Sequence, residues 1–254
     1  MLLVIMDMPK FIEKKNRIII SETFYSIQGE GRFIGTPSIF LRTQGCLLNC
    51  VWCDTYNVWK NGLPYSNEEL LVLWKKMGFI DLIKSKSIHI IFTGGEPLAR
   101  QTQLLDFFKY LINKGEITYN SLNDNIEVET ASTVKPTDEF EDFFKPYYNV
   151  SPKLANSGMN LQRRVRDDVL KYFAGNDKSI FKFVISNEND INEIMETYIK
   201  PYNINNKSVY LMAQSTTRQQ LNDNELNVVK LAMKYKFRYS TRLHLHIWDK
   251  ATGV

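Results

Sequence analysis

The chain has 254 residues, enough for one large domain with a well-buried core or for two small ones. Its 44% hydrophobic and 24% charged residues are ordinary for a globular protein, and a net charge of +4 spread along the chain is too mild and diffuse to indicate nucleic acid. No apolar run approaches the ~18 residues of a membrane span, and Leu2-Leu3-Val4-Ile5-Met6 lacks the flanks of a signal peptide; a cytoplasmic protein is expected.

In chain order, residues 1–16 read as a peripheral N-terminal extension of a single domain covering 1–254. Ile18-Ile19-Ile20 is a short β-like run, and Glu22 to Arg32 follows with Gly29 and Gly31 flanking Glu30. Glycines there let the backbone turn or approach a ligand, although a plain surface turn has the same signature. Ser38 to Thr43 is a strand that runs into a cysteine loop. Glu68 to Met77 is a helix with Ser66 or Asn67 as its N-cap.

Ile88 to Phe92 is a β-branched strand that stops at Thr93-Gly94-Gly95-Glu96-Pro97, and a helix with apolar residues at i, i+3, i+4 spacing covers Leu98 to Lys114. Further strands are expected at Asn125–Thr130, Ile180–Ile185 and Ser208–Met212, with Tyr147–Val150 leading into Ser151-Pro152-Lys153. Helices are expected at Thr137–Phe144, Asn160–Phe173, Glu188–Tyr198 and Glu225–Tyr235. Thr241–Trp248 reads as a last strand, so that 239–254 forms a C-terminal strand and tail in which His244 and His246 face the same side. Strands alternating with helices favour a parallel sheet covered by helices, with ligands at the carboxyl ends of the strands.

All three cysteines lie in one short loop, Cys46, Cys50 and Cys53, spaced C-x3-C-x2-C. Three thiolates can hold three corners of an iron–sulfur cube and leave one iron open to a small molecule. The competing structural site is zinc completed by His244 or His246, but structural zinc usually draws on two separated ligand pairs. Gly94 and Gly95 expose backbone carbonyls that can accept hydrogen bonds from an ammonium group; in isolation such a pair is a tight turn.

The cysteine spacing and the Gly-Gly-Glu-Pro element resemble the radical S-adenosylmethionine (radical SAM) superfamily. Ser26-Ile27-Gln28-Gly29-Glu30-Gly31, Arg42 just upstream of Cys46, and Cys53-Asp54-Thr55 narrow the resemblance to the 7-carboxy-7-deazaguanine synthase family. It covers about residues 20–156. The resemblance implies an α/β fold: a partial TIM-like β/α barrel of about six parallel strands.

It also implies conversion of 6-carboxy-5,6,7,8-tetrahydropterin to 7-carboxy-7-deazaguanine with loss of ammonia, in the queuosine and 7-deazapurine pathway. The implied cofactors are a 4Fe-4S cluster, S-adenosylmethionine (SAM) and Mg²⁺. A flavodoxin- or ferredoxin-like electron donor is an expected partner, nucleic acid and membrane are not, and a homodimer is left open.

Carried over by position, Cys46, Cys50 and Cys53 hold the cluster and Thr55 offers its hydroxyl to Mg²⁺. Ile27, Gln28, Gly29, Glu30, Arg42, Thr93 and the Val254 carboxylate face the substrate, Arg42 by pairing with its carboxylate. Trp52, Cys53, Asp54, Gly95, Glu96, Ser151, Pro152, Lys153, Met212 and Gln214 face SAM. One departure from the family is Met212-Ala213-Gln214-Ser215, where relatives often carry Gln-Pro. A glycyl-radical-enzyme activase and a non-catalytic metal-binding scaffold are the alternatives; Gln28, Glu30 and Arg42 suit a small anionic heterocycle better than either.

Overall fold

The computed structural model describes residues 17–253. The expected extension 1–16 and the expected Val254 contact therefore lie outside the described residues.

The strands are β1 (Arg17–Ile27), β2 (Pro37–Thr43), β3 (Leu63–Ser66), β4 (His89–Gly94), β5 (Ile126–Thr130), β6 (Tyr147–Val150), β7 (Ser179–Ile185), β8 (Val209–Ala213) and β9 (Arg238–Tyr239). They form one sheet in the order β3-β1-β2-β4-β5-β6-β7-β8-β9. From β2 onward every pairing is parallel, which gives six full strands and the two-residue β9. This is the expected incomplete β/α barrel. Its leading edge differs from a purely parallel sheet, because β1 pairs antiparallel with both β2 and β3. A register shift between Ile20 and Glu22 marks a bulge in β1, which extends through residues expected to form a glycine-flanked loop.

Helices cover the outer face, and the core lies between them and the sheet. Phe92 of β4 is fully buried, with its ring 5.4 Å from Phe108 and 5.0 Å from Phe144. Trp74, from helix Asn67–Lys76, packs edge-on against Phe107 at 5.0 Å. Burying each such ring contributes roughly 1.5–3 kcal/mol. The Asn67–Lys76 helix begins as expected at Ser66, where Ser66 and Glu69 form a reciprocal capping box.

Other boundaries shift for local reasons. Val165 takes an extended conformation and splits the expected 160–173 helix into Leu161–Arg164 and Asp167–Ala174. The helix after β7 passes through a π-helical stretch, Ile194–Ile199, and runs on to Tyr202. The last long helix starts at Arg218, ahead of the expected Glu225, because the Thr217 hydroxyl accepts from the Gln220 N–H.

The expected strand Thr241–Trp248 is not a strand. The chain leaves the sheet after Tyr239 and forms helix Leu243–Trp248. His244 and His246 consequently do not share a face. His244 lies over Gly29, whereas His246 Nε2 is 3.2 Å from Glu225 Oε2 and 3.1 Å from Thr241 Oγ1.

Candidate active site

The carboxyl ends of β2, β4, β5, β6 and β8 open into one cavity of about 650 Å³, within the usual range for small-molecule sites. Cys46, Cys50 and Cys53 all line it, with Gly94, Gly95, Thr130, Ser151, Lys153, Met212 and Gln214.

The glycine pair is required sterically. At Gly94 φ is +147°, and a Cβ there would overlap the Thr43 carbonyl. A Cβ on Gly95 would overlap the Gly45 carbonyl and the Cys46 side chain. The same close approach lets the Glu96 N–H donate to the Gly45 carbonyl at 2.9 Å, so the turn after β4 is stitched to the cysteine loop.

Glu96 departs from its expected place. Its side chain is fully buried and does not line the cavity. It accepts from the hydroxyls of Thr130 (2.9 Å) and Thr133 (2.8 Å) and from the N–H groups of Ala131 (3.1 Å) and Leu98 (3.3 Å). Glu96 therefore bolts the β4 turn to the β5 turn, because a carboxylate has acceptor sites for four donors and none to offer SAM. Pro152 is likewise not part of the lining, although its neighbours are. The Lys153 ammonium donates to Ser151 Oγ at 2.9 Å and sits 5.6 Å from the centre of the Trp52 ring.

The cysteine loop suits an iron–sulfur cluster. The Leu48 N–H donates to Cys46 Sγ and the Trp59 indole N–H to Cys53 Sγ, each at 3.4 Å, and such N–H···S bonds tune cluster thiolates. Burial pushes the Cys46 and Cys50 thiols above their ordinary range, so a metal has to supply the charge that ionises them. Among the described residues no three His, Cys, Asp or Glu side chains converge on a single ion. Cys46, Cys50 and Cys53 all line one cavity, where three thiolates could hold three corners of an iron–sulfur cube. Thr55 also lines the cavity; it precedes helix Tyr56–Trp59, its side chain makes no capping bond, and its Oγ1 lies 3.8 Å from Cys53 Sγ, a hydroxyl oxygen of the kind a hard cation takes as a ligand.

The floor of the cavity is polar and charged. Ile27, Gln28, Gly29 and Glu30 reach it from the opposite end of the barrel, because β1 runs antiparallel to β2. The Gln28 amide donates to Glu127 (3.1 Å) and Glu129 (3.3 Å), and its oxygen accepts from the Glu30 N–H (3.2 Å). Its side chain thus shapes the floor, and the loop backbone is what remains for a ligand. Arg42 Nε donates to Glu22 at 2.7 Å, and Arg42 Nη1 lies 3.5 Å from Thr93 Oγ1.

Three charged residues here escaped the motif reading. Lys182, in the middle of fully buried β7, donates to Glu30 (2.5 Å) and Glu129 (2.8 Å). Burial disfavours the ammonium, but Glu129 and then Glu30 outweigh it and hold it above its usual range. Burial also opposes the Glu30 charge, yet Lys182 and Arg242 keep that carboxyl well below the ordinary range. Glu129 goes the other way, raised first by burial and further by Glu30. One ammonium between two carboxyls leaves one firmly ionised and the other reluctant. The third, Arg242, bonds to Glu30 and Asp54. A lysine inside the apolar run Ile180-Phe181-Lys182-Phe183-Val184-Ile185 was a legible sign of a buried ion pair; Arg242 gave none.

A family model described as "4Fe-4S single cluster domain" matches residues 27–135. The 7-carboxy-7-deazaguanine synthase of Pyrobaculum aerophilum is 31% identical over 239 residues, covering 93% of this chain and 97% of the relative. The chain belongs to the 7-carboxy-7-deazaguanine synthase family. The synthase of Halobacterium salinarum is 30% identical, with 91% of each chain covered. The crystal structure of QueE from Escherichia coli, 23% identical, superposes with a TM-score of 0.61 over 90% of this chain and 95% of that one, a likeness of fold. As a member of this synthase family the chain is a radical SAM enzyme.

Proposed function

We infer that the chain converts 6-carboxy-5,6,7,8-tetrahydropterin to 7-carboxy-7-deazaguanine with release of ammonia. The observation that carries this is the meeting of two halves in one cavity: three thiols at the strand ends and a floor of Glu30, Arg42, Glu129 and Lys182. Held by these residues, a cluster with SAM would supply one-electron cleavage of SAM to methionine and a hydrogen-abstracting 5′-deoxyadenosyl group.

The chain's own residues bind and orient. Cys46, Cys50 and Cys53 would hold the cluster. Gly95 lines the cavity and can offer its backbone to the methionine end of SAM, and Ser151 with Lys153 can receive its carboxylate. Trp52, Met212 and Gln214 line the same side. Arg42, oriented by Glu22, retains N–H donors for the substrate carboxylate, since a guanidinium carries five. The ionised Glu30 accepts from the donor-rich pyrimidine edge, and Thr93 lies against Arg42. Thr55 would offer Mg²⁺ one oxygen, with substrate and water completing the shell.

Three clustered thiols imply a reducing, cytoplasmic setting. Among the described residues no helix is long and apolar enough to cross a membrane. A flavodoxin- or ferredoxin-like protein is the proposed electron donor, and a homodimer is the proposed assembly.

The test is anaerobic turnover of reconstituted protein with SAM, reductant, Mg²⁺ and the carboxytetrahydropterin. The deazaguanine product is expected. Deoxyadenosine formed only in the presence of a protein substrate would replace this reading with the activase one.

A further inference from the structure

Arg242 belongs to no motif, yet it touches three walls of the cavity. It precedes helix Leu243–Trp248 and is 8% exposed. Its Nε donates to Glu30 Oε1 at 3.0 Å, on the loop after β1. Its two terminal nitrogens donate to Asp54, next to Cys53 on the cysteine loop, and to the Ser215 carbonyl just after β8. One planar group thus joins the substrate floor, the cluster loop and the β8 turn.

The neighbouring backbone reinforces the junction. The Leu243 N–H donates to the Gly29 carbonyl at 2.9 Å, and the Gly31 N–H donates to Ser240 Oγ at 2.9 Å. Beyond the helix, Asp249 to Gly253 line the same cavity. Two anions approached from different loops would repel each other without a cation between them. A guanidinium holds both in fixed directions, which a lysine ammonium on a flexible stem does not.

We propose that Arg242 is a positioning residue that fixes the substrate-binding floor, through Glu30, relative to the SAM-binding wall, through Asp54 and Ser215. The proposal rests on the synthase reading of the cavity. Its consequence is coupling. Hydrogen transfer between two bound molecules depends on sub-ångström placement, and a displacement of about 1 Å can cost on the order of 100-fold in rate. Loosening the tie lets SAM be cleaved without the substrate in reach.

The experiment compares the reconstituted full chain with its Arg242→Lys and Asp54→Asn variants. Iron content, thermal midpoint, the Michaelis constant for the pterin and the ratio of 5′-deoxyadenosine to deazaguanine are measured for each. Arg242→Lys is expected to keep its iron, to lower kcat on the order of 100-fold, and to raise the ratio of deoxyadenosine to product several-fold above wild type. Asp54→Asn, which weakens one arm of the tie, should shift that ratio in the same direction.

A merely structural arginine would lower the thermal midpoint and the amount of active enzyme while leaving the ratio at its wild-type value, and that result overturns the proposal. If Arg242→Lys fails to fold, an unchanged ratio in Asp54→Asn overturns it equally. A wild-type protein that forms no product at all contradicts the synthase reading instead, so the two failures are distinct.

Discussion

Gly95 packs against Cys46 with no space for a side chain between them. The end of β4 and the cluster loop are therefore held at backbone contact, and the Glu96 N–H bond to Gly45 locks the approach. Gly95→Ala is expected to push Cys46 out of line with Cys50 and Cys53. Iron per chain after reconstitution should fall well below wild type, and turnover should drop on the order of 100-fold or more, as for a displacement of about 1 Å at a reacting centre. Normal iron content with normal SAM cleavage would contradict the steric argument.

Glu96 makes a different prediction, because it acts on the two turns and not on a ligand. Glu96→Gln keeps one acceptor oxygen and turns its amide N–H₂ toward either the Leu98 N–H on Oε1 or the Ala131 N–H on Oε2, each of which can only donate. Leaving such buried groups unpaired costs about 1–3 kcal/mol each. Urea denaturation of the metal-free protein should show a loss of that order, with weaker SAM binding in the loaded enzyme. Unchanged stability would mean that the network re-forms around the amide.

The Glu30–Lys182 pair predicts the acid response. Because the folded carboxyl is held below its unfolded value of about 4.3, Glu30 contributes stability that is complete above that value. The contribution disappears as pH falls through the folded one. Lys182→Met removes the strongest attraction on Glu30, which keeps Arg242, and leaves the partly buried Glu129 without its ammonium, a loss of up to about 3 kcal/mol at neutral pH. In thermal melts from pH 3 to 7 the wild type should keep the Glu30 contribution to lower pH than the variant does. Parallel curves would refute the pairing.

The proposed Mg²⁺ role of Thr55 predicts that Thr55→Ala weakens stimulation by Mg²⁺ while leaving iron content as in the wild type, because the three cysteines are untouched. Equal stimulation in both proteins, measured by initial rates across a Mg²⁺ titration, would remove Thr55 from the cation site.

Much of this site was legible because spacing and chemistry coincide. Three thiols within eight positions and a glycine pair at a strand end leave few other uses. Glu96 belonged to the same motif, but spacing does not say which way a side chain points, and here burial beside four donors decided it. The C-terminal misreading is more instructive. Leu243 to His246 alternates apolar and polar, the pattern of a strand, yet β9 pairs with β8 only at Arg238 and Tyr239. Ser240 and Arg242 then bond to Gly31, Glu30 and Asp54, which draws the chain across the cavity and into a helix. Those partners lie about 200 residues away in sequence, beyond any local pattern.

The most direct measurement follows one hydrogen. Substrate deuterated at the carbon bearing its carboxylate is turned over anaerobically by the reconstituted protein, and the 5′-deoxyadenosine is analysed by mass spectrometry. Deuterium in the deoxyadenosine, together with 7-carboxy-7-deazaguanine, is the predicted result. Unlabelled deoxyadenosine without product, from protein carrying its full complement of iron, would contradict the assignment.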